Sequence, residues 1–119
     1  MPRVKRGVTT HKRHKKVLAL TKGHRATKHS LYRRAHESML KSLSYAYRHR
    51  RERKGDMRRL WILRINAASR LHGLTYGRFM DGLKKSGVEI NRKVLADMAV
   101  REPEAFANLV TIAKDKVQG

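Results

Sequence analysis

The sequence predicts an all-α protein in two parts: a long basic helical N-terminal arm over residues 1–57 and a small helical C-terminal domain over residues 58–119. Two patterns give the helices. Apolar residues recur at spacings of three and four after Ser30, the period of a helix buried along one side. Caps and breakers (Ser30, Gly73, Thr75, Gly87, Asn91, Pro103) fall between those stretches. The division into two parts comes from charge. Residues 1–59 carry twenty of the thirty Lys and Arg against only Glu37, Glu52 and Asp56, a net +17 of the chain's +21. Residues 60–119 hold ten bases and six acids, a net +4. A segment as one-sided as the first repels itself until a polyanion neutralises it.

In order along the chain, the stretch from Arg3 to His29 is apolar-poor except for Val17, Leu18 and Leu20. Thr10 is the expected cap of a short helix there and Gly23 its end. Such a helix is marginal in water and is expected to order on its partner. Ser30 is the expected N-cap of a second, long helix whose stripe is Leu31, Ala35, Met39, Leu43, Ala46 and Tyr47. Gly55-Asp56 either stops or merely interrupts it, because an internal Gly costs only about 1 kcal/mol relative to Ala.

From Asp56 to His72 the pattern is helical again. A wheel at 100° per residue puts Leu60, Leu63, Ala67 and Leu71 on one face, flanked by Trp61, Ile65 and Ala68, with Arg58, Arg59, Asn66, Ser69 and Arg70 opposite. The first set is the expected core face and the last the expected contact face. Gly73 ends this helix. Thr75 then caps Tyr76, Phe79, Met80 and Leu83 up to Gly87, and Asn91 caps Val94, Leu95, Met98 and Ala99. Pro103 opens a last helix at its N1 position. Strand propensity is confined to Val88-Glu89-Ile90, too short for a sheet.

Composition narrows the chemistry. Without cysteine there are no disulfides, thiolates or Cys-type zinc sites. No apolar run approaches the roughly 20 residues needed to span a bilayer, and the charged N-terminus is followed by no apolar stretch, so a soluble intracellular protein is expected, without a membrane partner. The seven His lack metal-ligand spacing, so no metal or other cofactor is expected. No nucleophile-base set, phosphate-cradling Gly loop or carboxylate pair stands out, so no enzyme is expected.

What remains is electrostatic recognition. Lys and Arg at helical spacing neutralise phosphates without reading sequence, and Arg adds a planar fork for phosphate or for stacking on an unpaired base. The expected contacts in the arm are Arg3, Lys5, Arg6, Lys12, Arg13, His14, Lys15, Lys16, Lys22, Arg25, Lys28, Arg33, Arg34, Lys41, Arg48, Arg50, Arg51, Arg53 and Lys54. In the domain they are Arg58, Arg59, Asn66, Ser69 and Arg70. Arg-rich arms interleaved with Tyr and His suit structured RNA, whereas a DNA reader would show a compact recognition helix and a dimer seam. Two residues keep two readings each. Trp61 is a core anchor or a base-stacking platform, and Arg64 snorkels from the core edge or contacts RNA at the junction of arm and domain.

The stretch RRLWILRIN from Arg58 to Asn66, continuing AASRLHGLTYGRF, resembles the bacterial large-subunit ribosomal protein L-twenty family. The likeness extends from MPRVKRG through HKRHKKVL to NRKVLADMAVREPEAF. Where the family usually has an aromatic after Lys22-Gly23 this chain has His24, and before RRLW it has Gly55 and Met57 in place of a basic residue and Phe. The resemblance implies an arm threaded into 23S ribosomal RNA and a domain seated on an RNA junction. It further implies a structural and early-assembly role in the cytoplasmic large subunit, with no part in peptide-bond chemistry. Neighbouring large-subunit proteins are the other implied partners, and no homo-oligomer is expected. Some family members also repress translation of their own message. The rival readings are a nucleoid-type DNA-binding protein and an accessory subunit of an RNA-processing enzyme.

Overall fold

In the computed structural model, which describes residues 5–118, the elements are α1 (Gly7–Leu20), a short 3-10 helix (Ala26–His29), α2 (Tyr32–Leu71), α3 (Tyr76–Lys85), α4 (Arg92–Arg101) and α5 (Pro103–Gln118). No strand occurs among the described residues; Val88-Glu89-Ile90 is irregular. The all-α expectation holds. The chain divides into two compact units, Met1–Arg51 and Glu52–Gly119, so the division falls inside α2, six residues before the expected boundary at 57.

Within the first unit, α1 starts a turn earlier than Thr10. The Thr10 amide already donates to the Arg6 carbonyl at 3.0 Å, which makes Thr10 a helix residue rather than a cap. After α1 the chain turns at Gly23, whose φ of 85° lies in the left-handed region that glycine enters without a Cβ clash. Ser30 is not the cap of α2. Its hydroxyl donates to the Thr27 carbonyl at 3.3 Å, closing the 3-10 helix, a local bond that competes with capping. The first bond of α2 instead runs from the Ala35 amide to the Leu31 carbonyl at 2.8 Å.

The arm also has a small packed contact of its own. Thr21 and Ala35 are fully buried, the His14 ring stacks on Tyr32 at 3.8 Å between centroids, and His24 Nδ1 lies 2.6 Å from Ser38 Oγ. The Thr21 hydroxyl donates to the Leu18 carbonyl at 3.2 Å, so its burial leaves nothing unpaired.

Gly55 does not break α2. A Cβ at this position meets nothing within 4 Å. Gly55→Ala should therefore stabilise the helix by about 0.5–1 kcal/mol through backbone entropy alone. Thermal unfolding followed by circular dichroism checks this, and a lowered midpoint contradicts it.

In the second unit, Ile65, Leu74, Phe79, Leu83, Leu95, Ala96, Phe106, Val110 and Ala113 form the core, with Trp61, Ala68, Tyr76 and Met80 among those packed against it. Phe79 and Phe106 meet at 5.1 Å between ring centroids. The helix ends follow local rules. The Leu74 amide donates to Ser69 O at 3.0 Å and the Gly73 amide to Arg70 O at 3.1 Å, a Schellman closure in which Gly73 takes φ 87° and Leu74 drops into the core. Val88 and Gly87 close α3 in the same way. Asn91 Oδ1 accepts from the Val94 amide at 2.9 Å, and Pro103 is the first residue of α5.

The phase of α2 differs from the wheel. Ile65 and Ser69 are fully buried, with Trp61 and Ala68 beside them, whereas Leu63 and Leu71 are 64% and 85% exposed. The buried stripe is turned roughly a third of the way round the helix from the expected one. The tertiary gain explains it. This phase covers the large side chains Trp61 and Ile65 and completes the buried stripe with the smaller Ser69 and Ala68.

Candidate nucleic-acid interface

Nearly every cation expected to meet phosphate is exposed. From just before α1 through the 3-10 helix these are Lys5, Arg6, Lys12, Arg13, Lys15, Lys16, Lys22, Arg25 and Lys28; on α2 they are Arg33, Arg34, Lys41, Arg48, Arg50, Arg51, Arg53, Lys54, Arg58, Arg59 and Arg70. Arg3 lies outside the described residues. Acids compensate little of this charge. Arg34 approaches Glu37 at 3.8 Å and Arg59 approaches Asp56 at 3.6 Å, both among well-exposed side chains where such pairs are worth little. Among the described residues no other ion pair is made by an arm cation.

Aromatic rings order part of this surface. Lys41 Nζ lies 4.8 Å and the Arg48 guanidinium 5.6 Å from the Tyr45 ring centre, and the Arg51 guanidinium lies 4.6 Å from that of Tyr47. His49 stacks on Tyr45 at 5.5 Å. A cation held over a ring keeps its charge while losing some freedom, so less is left to lose when it binds phosphate. The first unit also gathers Arg25, Lys28, Arg34 and Lys41 with His24 and Tyr45 around a concavity of about 900 Å³. Four cations separated in sequence thereby face one space, with Glu37 as its one acid.

Three expected contacts are placed differently. His14 is half-buried beneath Tyr32, so its ring face is occupied. Ser69 is fully buried and its hydroxyl donates to Asn66 O at 3.0 Å, because the phase of α2 turns it into the domain and away from the surface. Asn66 is half-buried and its Oδ1 accepts from Arg70 Nε at 3.0 Å and from the Tyr76 amide at 3.3 Å. It therefore supplies an acceptor to the first amide of α3, at a helix start where Thr75 makes no side-chain cap bond. Arg70 remains exposed, with its guanidinium oriented by Asn66.

The domain carries a groove that the sequence pattern does not reveal. Trp61 and Arg64 of α2 face Asn91, Lys93, Asp97 and Arg101 around a space of about 640 Å³. The available signal was the spacing 93, 97, 101, which puts all three side chains on one side of α4. Nothing in the sequence put that side next to Trp61.

Among the described residues there is no group of three or more His, Cys, Asp or Glu able to hold a metal, and no helix is long and apolar enough to cross a membrane. Fold and surface together define a polycationic all-helical chain whose charge is displayed rather than paired. The chain belongs to the Ribosomal protein L20 family, whose profile matches residues 3–109. It is 69% identical over 107 residues to the large ribosomal subunit protein bL20 of Dehalococcoides mccartyi, covering 90% of each chain. It is 62% identical over 117 residues to that of Moorella thermoacetica, covering 98% of this chain and 97% of the relative. The relative from Natranaerobius thermophilus is 59% identical over 117 residues, its whole length. These relatives are ribosomal proteins rather than enzymes.

Proposed function

We propose that this chain is a structural constituent of the bacterial large ribosomal subunit, located in the cytoplasm, that binds 23S ribosomal RNA directly and supports early assembly of the subunit. The observation that carries the reading is the run of exposed arginines from Arg48 to Arg59, which meets its one internal acid contact at Asp56. A surface of that kind lowers the repulsion between RNA helices where they crowd together, and each phosphate it neutralises releases counterion. Phosphate contacts of the arm attract and pack; contacts on the domain, through Arg58, Arg59 and Arg70, position it. Neighbouring large-subunit proteins are the second class of partner, and the exposed Leu63 and Leu71 on α2 are the apolar surface such a neighbour would cover.

Competition tests this directly. At moderate salt and equal nucleotide concentration, 23S ribosomal RNA should displace duplex DNA from the protein. Equal partition between the two would favour the nucleoid-type reading instead.

A further inference from the structure

We propose that the groove between α2 and α4 holds one unpaired nucleotide of RNA, its base stacked on the Trp61 indole and its phosphate held by Arg64 and Lys93. This rests on the RNA-binding reading above and gives it a defined subsite.

The groove's volume of about 640 Å³ lies within the roughly 300–1,000 Å³ typical of small-ligand sites. Its lining carries three cations and one carboxylate, and that carboxylate is engaged: Asp97 Oδ1 accepts from Arg101 Nε at 3.1 Å. Among the described residues Arg64 and Lys93 have no ion-pair partner, and both are exposed. Trp61 packs against the core yet stays half-buried, so part of the indole anchors α2 and part lines the groove.

Arg64 follows Trp61 by three residues, which makes them neighbours on the helix surface. A planar ring beside free cations serves both halves of a nucleotide: the ring face takes the base and the cations take the phosphate. Asn91 Oδ1 is used by the Val94 amide, which leaves its NH₂ to donate to a base edge. A paired base keeps its faces stacked inside a duplex and does not reach the indole. An acidic peptide would satisfy the cations and leave the ring without a role.

Trp61 is the chain's single tryptophan, so its emission reports this groove. The full-length protein is titrated with octaadenylate, with an RNA duplex and with polyglutamate, while binding is followed independently by mobility shift. Octaadenylate should quench Trp61; the duplex should bind without quenching, and polyglutamate should not quench. The pair Arg64→Gln with Lys93→Gln should raise the quench midpoint about tenfold, the order expected for losing the charge-assisted contacts to one phosphate while the stacking ring stays. The pair Lys84→Gln with Lys116→Gln, exposed and outside the groove, should shift it much less. Circular dichroism verifies that both pairs remain helical.

Octaadenylate that binds without quenching overturns the proposal, as do equal midpoint shifts in the two pairs or quenching by polyglutamate. Each of these leaves the RNA-binding reading intact. Failure to bind any RNA overturns both.

Discussion

Replacing Gly82 by valine is expected to remove the cooperative unfolding transition of the second unit. Gly82 is buried on α3, and a Cβ built there lies 2.5 Å from the Ala113 carbonyl oxygen and 2.8 Å from the Ala113 Cα and Cβ. The obstacle is the backbone of α5, which has no rotamer by which to yield. Overpacking a core costs about 1–3 kcal/mol for modest additions, and valine adds a branched side chain where even one carbon does not fit. A domain of this size seldom holds more than about 3–5 kcal/mol in total. Gly82→Ala gains about 1 kcal/mol of helix propensity and should still come out destabilised. Gly77, on the same helix with nothing within 4 Å of its Cβ, is the control: Gly77→Ala should melt at or above the parent. Denaturation followed by Trp61 emission and circular dichroism reads all three. A valine variant that unfolds cooperatively near the parent midpoint would mean that α3 and α5 do not approach this closely.

Replacing Arg50, Arg51 and Arg53 together by Gln should cause the largest change in binding. All three are exposed on α2 and, among the described residues, none is paired to an acid. Arg51 is held over Tyr47, so its removal also takes away a pre-ordered cation. Gln has nearly the helix propensity of Arg, and the fold should stay intact. The plot of log affinity against log salt should flatten by about 2, at roughly 0.7–0.9 for each phosphate no longer neutralised. The ratio of affinities for 23S ribosomal RNA and duplex DNA should move little, because these arginines carry no sequence or shape information. An unchanged slope with a collapsed ratio would reverse the roles assigned to arm and domain.

The features legible in the sequence were those set within a few residues. Asn91, Pro103, Gly73 and Gly87 act through their own backbone or the next turn, and each does at its position what a capping or breaking residue does anywhere. The exposed cations were legible for a related reason, since a run of like charge has nowhere to be buried. What escaped depends on contacts between elements distant in the chain. The phase of α2 was ambiguous because Leu60, Leu63, Ala67 and Leu71 make as regular a stripe as Trp61, Ile65 and Ala68, and only packing in the domain chooses between them. That choice buries Ser69 and turns Asn66 from a surface contact into a tie to α3. His14 resembled its basic neighbours until Tyr32, eighteen positions on, was brought over it. Nothing near Gly82 in the sequence marks it, because its necessity comes wholly from Ala113.

The central claim is that the arm attracts and the domain discriminates. The most direct measurement compares the full chain with a fragment of residues 52–119, determining for each the affinities for 23S ribosomal RNA and duplex DNA across a range of salt. The account predicts a helical fragment that binds more weakly and with a shallower salt slope, yet keeps the full chain's preference for the RNA. A helical fragment that binds RNA and DNA equally well would contradict it.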